Sequence, residues 1–270
     1  MNDPLISVDE LHQLCRSGDE APVLIGVVPR WRFWLAHLPG SRQVWRRQLS
    51  QPSGTRLIDA AGFTRWAQRQ GINQQTPVVL WDHLYDAARV WWAFCHYGQP
   101  NVRVLDGGLR AWRAAGLPLE RGAPAAASER GSFMARATKA FPIADRALVL
   151  ASRHQQNTQL WDTRDLAEWQ GRRRLRGARR AGRIAWAQHL NWRDFRRAAA
   201  RDSRFRSEAE LQELLRERGV DQHCRQIFYC QAGVRTTTAI LALYRLGFDP
   251  QQLFNYDGSW REWSQWPDPT

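Results

Sequence analysis

One of the four cysteines stands where a short apolar run meets a glycine-containing loop. Cys230 follows the run at residues 227–229, and a helical pattern starts at residue 236. Backbone N–H groups at the start of a helix converge on the preceding loop, and the helix dipole adds partial positive charge there. Such a position favours the thiolate form of a cysteine, which is the nucleophilic form. We therefore predict that Cys230 is a catalytic nucleophile.

The loop after Cys230 carries residues suited to an anionic substrate. Gly233 allows the backbone to fold into a tight ring, and Arg235 supplies a cation with several hydrogen-bond donors. The loop amides could hold a terminal sulfur or an oxyanion. The alternative is that Cys230 is only a small buried residue at the end of a core strand. The predicted substrate-binding residues are Gln231, Ala232, Gly233, Val234, Arg235 and Thr236.

Alternating strand and helix patterns surround this loop. Short apolar runs predict buried parallel strands at residues 23–28, 78–81, 102–105, 159–161, 227–229 and 253–256. Helical patterns lie between them, at residues 63–69, 87–97, 109–115, 208–218 and 236–246. In the fourth helix, Ser207 and Glu210 have the spacing of a capping box. The predicted class is α/β, with parallel sheets covered by helices on both faces.

The second half of the chain repeats the first. The words VLDGGLRAW and NYDGSWREW end the two halves, and their aspartates, Asp106 and Asp257, lie 151 residues apart. Asp82 ends the strand that corresponds to the strand before Cys230, at an offset of 148 residues. Two pairs of corresponding residues that are separated by nearly the same number of positions indicate a duplicated domain. We predict a non-catalytic domain at residues 1–120, an Ala/Gly/Pro/Ser-rich linker at 121–140 and a catalytic domain at 141–270.

The charge of the chain is strongly positive. The 39 Lys and Arg residues exceed the 26 Asp and Glu residues, for a formal net charge of +13. Such a surface attracts small anions or nucleic acids. The two densest arginine runs, at residues 42–47 and 172–183, carry no aromatic-interleaved nucleic-acid motif. We therefore expect solvated surface arginines and no nucleic-acid partner.

Other features of the sequence bear on its cellular location and on the state of its cysteines. No run of 18 or more apolar residues exists, and residues 1–10 do not have the pattern of a signal peptide. We expect no membrane association and a cytoplasmic location. The four cysteines lack zinc-ligand spacing. We therefore expect free thiols in a reducing compartment, without a metal or cofactor.

Five separated words of the sequence resemble one family. CQAGVRT, at the cysteine, is similar to the active-site loop of the rhodaneses. VLDGGLRAW, DGSWREW, AHLPGS and WDTRDLAEWQG are similar to other rhodanese words, occur in the family's order and extend the resemblance over almost the whole chain. The chain is identified as a member of the tandem-domain rhodaneses, which include thiosulfate and 3-mercaptopyruvate sulfurtransferases. The resemblance implies a ping-pong cycle in which the catalytic cysteine carries a sulfane sulfur as a persulfide.

Thiosulfate is the sulfur donor that the resemblance favours. Mercaptopyruvate enzymes usually carry a serine two positions after the cysteine, where this chain has Ala232. The tandem enzymes also tend to carry a substrate-binding arginine six positions after the strand-end aspartate, where this chain has Glu168, and both departures weaken a mercaptopyruvate assignment. We expect a small anionic donor, and cyanide or a thiol as acceptor, with a thioredoxin-like protein among the candidate thiols. We also expect a monomer. Asp162 and Arg164 are expected to support the site structurally through a buried ion pair.

Two alternatives remain open besides mercaptopyruvate as donor. Dual-specificity phosphatases have a related loop, so phosphatase or arsenate reductase activity is one alternative. Their arginine lies six positions after the cysteine, against five here, and the shorter loop suits one sulfur atom better than a tetrahedral phosphate. The second half carries the word Gly182-Arg183-Ile184-Ala185-Trp186 in place of the Gly-His-Ile-Pro-Gly word of the family. A weakly catalytic binding or sulfur-relay module of the rhodanese fold is therefore the other.

Overall fold

The apolar, β-branched runs of the sequence form the central strands of two parallel sheets. The computed structural model describes residues 3–17, 21–52, 54–197 and 203–267. The chain divides into two units, and each holds one five-stranded sheet with helices. The predicted α/β class with two tandem parallel-sheet domains is confirmed.

Unit 1 comprises Met1–Pro52, Leu57–Thr138 and Ala199–Phe205. Its strands are β1 (Leu5–Ile6), β2 (Val23–Val27), β3 (Arg42–Val44), β4 (Val78–Trp81) and β5 (Val102–Leu105). Its helices are α1 (Val8–Ser17), α2 (Arg30–Leu35), α3 (Ala60–Arg69), α4 (Asp86–His96) and α5 (Gly108–Ala114), with a 3-10 turn at Arg46–Leu49.

Unit 2 comprises Ser53–Arg56, Lys139–Ala198 and Arg206–Thr270. Its strands are β6 (Ile143–Ala144), β7 (Thr158–Asp162), β8 (Gln188–His189), β9 (Arg225–Tyr229) and β10 (Leu253–Tyr256). Its helices are α6 (Arg146–Ala151), α7 (Leu166–Trp169), α8 (Glu208–Glu217), α9 (Thr236–Arg245) and α10 (Ser259–Trp263), with 3-10 turns at Ser152–His154, Trp192–Phe195 and Pro250–Gln252.

The two sheets have the same topology. Their strand orders are β1-β5-β4-β2-β3 and β6-β10-β9-β7-β8, with all neighbours parallel. The strands correspond one to one along the chain, so the duplication inferred from the repeated words is confirmed. The carboxyl ends of β4 and β9 hold corresponding places in the two sheets. The loops that carry Asp82 and Cys230 therefore start from equivalent points.

One difference between the repeats has a packing cause. Gly26 on β2 stands where β7 has Asp162, because the indole of Trp81 on the neighbouring β4 lies against the glycine. A Cβ at Gly26 would come within 2.5 Å of that ring. The corresponding position of β9 is Tyr229, which pairs with Asp162. The wide aromatic ring of unit 1 thus excludes the carboxylate that unit 2 keeps.

The helices before and after the central strands have the caps that the sequence predicts. Ser207 caps α8, its hydroxyl accepts from the N–H of Glu210, and the Glu210 side chain accepts from the N–H of Ser207. The predicted capping box is confirmed. Helix α9 ends before Gly247, which has φ +87°. Residues Thr236 to Leu243 of α9 are all buried, so this helix is fixed along most of its length.

Residues 131–138, within the stretch predicted as a linker, belong to unit 1 and hydrogen-bond to its backbone. The N–H of Gly131 donates to Gln68 O at 2.8 Å, and that of Phe133 to Ile72 O at 2.9 Å. Further along, the N–H of Thr138 donates to His96 O at 2.9 Å.

None of the helices in the described part of the chain has the length and apolar character that a membrane-spanning helix needs.

Candidate active site

Cys230 is the first residue after β9, and the loop that it begins leads directly into α9. Its side chain is buried. Gly233, in the middle of the loop, has φ +65°, and a Cβ there would lie 2.6 Å from Asp257 Oδ1 and 2.8 Å from Asp257 O. Both the left-handed backbone and the close approach require glycine. The loop therefore folds tightly around Cys230, as its sequence predicts.

Two of the loop amides are used internally. The N–H groups of Cys230 and Gly233 both donate to Ser259 Oγ, at 3.1 and 2.9 Å. The carbonyl oxygen of Gly233 accepts from Asn255 Nδ2 at 3.1 Å. Side chains from the end of β10 and the start of α10 thus hold the peptide units on both sides of Gly233.

The other loop amides remain available. Among the described residues, no acceptor is found for the backbone N–H groups of Gln231, Ala232, Val234, Arg235 and Thr236. The first N–H groups of a helix have no partner within the helix, and successive N–H groups around a left-handed residue form an anion-binding concavity. The hydroxyl of Thr236 is also buried, and it has no hydrogen-bond partner in the part of the chain that the structure describes. The loop therefore offers several donors to a negatively charged atom beside Cys230.

Ser259 is a site residue that the sequence analysis did not identify. It is fully buried and has φ +52°, a conformation that favours glycine. Its hydroxyl donates to Tyr256 O at 2.7 Å while accepting from the two loop amides. Gly108 occupies the equivalent place in unit 1, with φ +55°. The sequence signal that could have identified Ser259 is its replacement of this glycine between the repeated words VLDGGLRAW and NYDGSWREW.

Arg235 does not present a free guanidinium. It makes two parallel hydrogen bonds to Glu168 on α7, at 2.7 and 2.9 Å, and lies 3.8 Å from Asp165. Both Arg235 and Glu168 are buried. Burial opposes the charged guanidinium, but the hydrogen bonds to Glu168 and the negative charges of Cys230, Glu168 and Asp165 raise the pKa of Arg235 above its ordinary value. Arg235 is therefore a permanent cation.

The pairing with Glu168 changes the expected role of Arg235. The sequence suggested a cation whose donors bind the anionic substrate, whereas the structure directs two of these donors to a carboxylate. The fork geometry of guanidinium and carboxylate explains why the pair forms. Cys230 begins the six-residue loop between β9 and α9, and Arg235 ends it. Glu168 thus holds the Arg235 guanidinium in place at the end of the loop.

Asp162 and Arg164 form the expected buried ion pair. Arg164 Nε donates to Asp162 Oδ1 at 2.9 Å, and the terminal nitrogen donates to Oδ2 at 2.5 Å. Burial opposes the charge on Arg164, but these bonds raise its pKa. The guanidinium also lies over the rings of Tyr229 and Trp260, at 5.5 and 4.6 Å from their centroids. The pair therefore braces the strand end next to Cys230.

The altered word at residues 182–186 is held by the same group of side chains. Arg164 donates to Gly182 O at 2.8 Å, and the N–H of Ile184 donates to the hydroxyl of Tyr229 at 3.1 Å. Ile184 is fully buried. The turn is thus anchored to β9 and to the Asp162–Arg164 pair although its His, Pro and second Gly are absent.

The remaining predicted residues of the loop have mixed surroundings. The side chain of Gln231 donates to Arg176 O at 3.3 Å, and Ala232 is half-buried. The carbonyl oxygen of Val234 accepts from the N–H and the hydroxyl of Thr237. Among the described residues, no three His, Cys, Asp or Glu side chains are grouped so that they could hold a metal ion.

The chain is similar to known proteins along most of its length. The family model for the rhodanese-like domain matches residues 7–115 and 145–265. A Mycobacterium bovis protein provisionally named thiosulfate sulfurtransferase 1 is 30% identical over 236 residues, which are 84% of this chain and 82% of that protein. The Rattus norvegicus 3-mercaptopyruvate sulfurtransferase is 28% identical over 270 residues, covering 97% of this chain and 86% of that protein.

Two further proteins extend the comparison. The sulfur carrier protein TtuD of Thermus thermophilus is 29% identical over 238 residues, covering 84% of this chain and 82% of that protein. The crystal structure of SseA from Escherichia coli, a 3-mercaptopyruvate sulfotransferase of the rhodanese fold, has a TM-score of 0.82 at 24% identity and covers 96% of this chain and 99% of its own. The last similarity concerns the fold alone.

Proposed function

Since the chain belongs to the rhodanese-like domain family and is a sulfurtransferase of the thiosulfate and 3-mercaptopyruvate type, we propose that it carries sulfane sulfur as a persulfide on Cys230, with thiosulfate as the donor. The observation that supports this most is the set of loop amides beside Cys230 that have no acceptor among the described residues. A persulfide adds one negatively charged sulfur atom beyond the cysteine sulfur. The free amides are the donors that such an atom needs.

The first half-reaction loads the cysteine. The Cys230 thiolate attacks the outer sulfur of thiosulfate, a new S–S bond forms, and the S–S bond of thiosulfate breaks with release of sulfite. The electron pair of the broken bond leaves with sulfite, so no external oxidant or reductant is needed. The loop amides and the positive charge of Arg235 stabilise the negative charge left on the terminal sulfur.

The second half-reaction unloads it. A thiolate or cyanide attacks the terminal sulfur, the new bond to the acceptor forms, and the Cys230 thiolate leaves. The products are an acceptor persulfide or thiocyanate. Ser259 and Asn255 keep the loop in one shape during both steps, because they hold the peptide units around Gly233.

Two features of the site support thiosulfate over 3-mercaptopyruvate. Mercaptopyruvate carries a carboxylate several bonds from its sulfur. It therefore needs a second cation at a distance from the loop amides beside Cys230. Glu168 stands where the tandem enzymes of the family tend to have a substrate-binding arginine, and it also engages Arg235. Thiosulfate is compact and places its charge next to the transferred sulfur, where the loop amides lie.

The relatives support a second candidate donor and a relay role. The rat relative is named for 3-mercaptopyruvate and matches 97% of the chain, and the Thermus relative is named as a sulfur carrier. Mercaptopyruvate therefore remains the second candidate donor. A protein thiol remains a candidate acceptor beside cyanide and small thiols.

The donor is tested by steady-state kinetics with both compounds and a saturating thiol acceptor. We expect kcat/KM for thiosulfate to exceed that for 3-mercaptopyruvate by at least about tenfold, because discrimination is a ratio of kcat/KM values. The Ala232→Ser variant, which introduces the hydroxyl of the mercaptopyruvate enzymes, is the matched control and should raise the mercaptopyruvate value selectively. A higher kcat/KM for mercaptopyruvate in the unmodified protein would contradict the assignment.

A further inference from the structure

An arginine-rich loop lies directly beside the candidate active site. Residues 171–182, here called the arginine loop, contain six arginines. Gly171 and Gly182 at its two ends have φ +76° and +107°, and a Cβ built on Gly171 would lie 3.5 Å from the Gly182 backbone. A surface segment whose ends nearly touch is an Ω-loop, a structure that is frequently functional.

The backbone of the arginine loop is fixed to the catalytic elements. The side chain of Gln231, the residue after Cys230, donates to Arg176 O at 3.3 Å. The indole N–H of Trp260 on α10 donates to Arg180 O at 3.0 Å. Ala178, near the middle of the loop, is buried. The loop is therefore a structured surface at a set position next to the nucleophile.

Three of the six arginines have structural partners. Arg173 binds Asp165 and Glu168, Arg174 donates to Ala178 O, and Arg180 lies over the ring of Trp260. These contacts join the loop to α7 and α10 or close it on itself. They explain half of the positive charge of the loop.

The other three arginines have no such explanation. Arg172, Arg176 and Arg179 are exposed, and among the described residues none of their guanidinium groups contacts an acid. Like charges on one short loop repel each other and create a local positive potential. The nearby acids, Asp165 and Glu168, are engaged by other arginines. The surplus charge is therefore directed to solvent.

We propose that the arginine loop is the docking surface for an acidic protein that presents a thiol to Cys230. This proposal rests on the proposed function, because the incoming thiol is the acceptor of the persulfide sulfur. The acceptor thiolate attacks the terminal sulfur, its new S–S bond forms, and the bond to the Cys230 sulfur breaks with Cys230 leaving as thiolate. The atoms around that thiol must then lie close to the arginine loop, because the main chain of Arg176 contacts Gln231.

The size of the surface favours a protein over a small donor. Thiosulfate bound at the loop amides of residues 231, 232 and 234–236 is too small to reach three guanidinium groups spread along eight residues, from Arg172 to Arg179. Acidic side chains on both sides of an acceptor cysteine would match these charges. Complementary charge of this kind mainly raises the association rate, and it does so most at low ionic strength.

Two synthetic thiol peptides provide the test. One has the sequence Asp-Glu-Cys-Glu-Asp and the other Asn-Gln-Cys-Gln-Asn, both with blocked termini. The protein is first loaded with thiosulfate, and the persulfide on Cys230 is verified by mass. The second-order rate constant for unloading is then measured with each peptide at low and high ionic strength. We compare the wild type with the triple variant Arg172→Gln, Arg176→Gln, Arg179→Gln.

The proposal predicts a charge preference that depends on the loop. The acidic peptide should unload the wild type about tenfold faster than the neutral peptide at low ionic strength, and the preference should shrink with salt. The triple variant should lose this preference while loading normally. A control variant with Arg16, Arg65 and Arg69 of unit 1 changed to Gln has the same net charge and should keep it.

Other outcomes would overturn the proposal without touching the persulfide chemistry. Normal loading with equal unloading by both peptides would show that the arginine loop does not select acidic thiols. If, in addition, the triple variant alone loses binding of a single-stranded RNA 20-mer, the surface serves a nucleic acid instead. Failure to load at all would instead contradict the proposed function.

Discussion

At the scale of single residues, the hydroxyl of Ser259 determines the shape of the catalytic loop. It is the shared acceptor for the N–H groups of Cys230 and Gly233 and is fully buried. Removing it leaves two buried donors without a partner, which costs about 1–3 kcal/mol for each unsatisfied group. The loop would also lose the contact that holds the peptide units at Cys230 and Gly233 in place.

We predict that Ser259→Ala lowers both the free energy of unfolding and kcat for sulfur transfer. Ser259→Gly removes the same hydroxyl but relieves the backbone at φ +52°, so it should be more stable than the alanine variant by about 1 kcal/mol. Both variants should still fail to reach wild-type kcat. Urea unfolding and steady-state assays measure the two effects. Equal stability of the Ala variant and the wild type would refute the role given to Ser259.

The pair of Arg235 and Glu168 makes a second prediction at this scale. Glu168→Leu leaves a buried guanidinium without its partner, a change that typically costs about 3–5 kcal/mol. The double variant Glu168→Leu, Arg235→Met should recover most of that loss, because no unpaired charge remains. A double-mutant cycle from urea unfolding measures the coupling. If the loss of stability in the double variant equalled the sum of the losses in the two single variants, the pair would not act as a unit.

The sequence predicts the residues of the site that are contiguous and misses those that meet only in the fold. Cys230 and Gly233 stand in one loop whose strand and helix can be recognised from local patterns. Glu168 lies 67 residues from Arg235 along the chain, and no local pattern shows that their side chains pair. The sequence therefore suggested the right cation and could not show which carboxylate engages it.

At the scale of elements, the same distinction separates long from short segments. The central strands and the long helices other than α1 were predicted within a few residues, as for the run 78–81 that forms β4 (Val78–Trp81). The sequence patterns did not predict the short edge strands or five of the helices. These elements are the strands β1, β3, β6 and β8 and the helices α1, α2, α6, α7 and α10. All of these except α1 have two to six residues, which is too short for a periodic pattern. Their existence depends on the neighbour that they pack against.

The turn between β4 and α4 makes unit 1 sensitive to acid. Burial, together with the positive charges of Arg32, Arg110 and Arg113, lowers the pKa of His83 to about 4. An unfolded histidine takes up its proton near pH 6.5. The unfolded state therefore binds more protons than the folded state between these two values, and stability falls as the pH decreases through this window.

We predict that His83→Gln flattens this dependence. The wild type should lose stability between pH 7 and pH 5, and the variant should lose less, because glutamine does not titrate. Urea unfolding at the two pH values, monitored for both proteins, gives the comparison. An equal loss in the wild type and the variant would assign the acid sensitivity to other groups.

At the scale of the whole molecule, the two repeats share a topology but not a site. The connection between β4 and α4 has four residues, whereas the connection between β9 and α9 has six. In unit 1, the Asp82 carboxylate accepts from the N–H of Ala87 at 2.6 Å and fills the start of its helix. The turn that begins at Asp82 is two residues shorter than the loop that begins at Cys230, so it cannot present the same set of backbone N–H groups.

We therefore predict that a cysteine in unit 1 does not create a second site. The variant Asp82→Cys in a Cys230→Ser background should show no sulfur transfer above that of Cys230→Ser alone. The same assay with the Asp82→Cys change in the otherwise unmodified protein controls for damage to unit 2. Measurable turnover in the first variant would mean that the repeat, and not the six-residue loop, confers the chemistry.

The measurement that tests the central claim most directly is the intact mass of the protein after brief exposure to thiosulfate and then to cyanide. We predict a gain of one sulfur atom (about 32 Da) that maps to Cys230, disappears with cyanide and is absent from Cys230→Ser. The other thiols, Cys15, Cys95 and Cys224, should remain unmodified. No gain in mass, or a gain that persists in the Cys230→Ser variant, would contradict the assignment of Cys230 as the sulfur carrier.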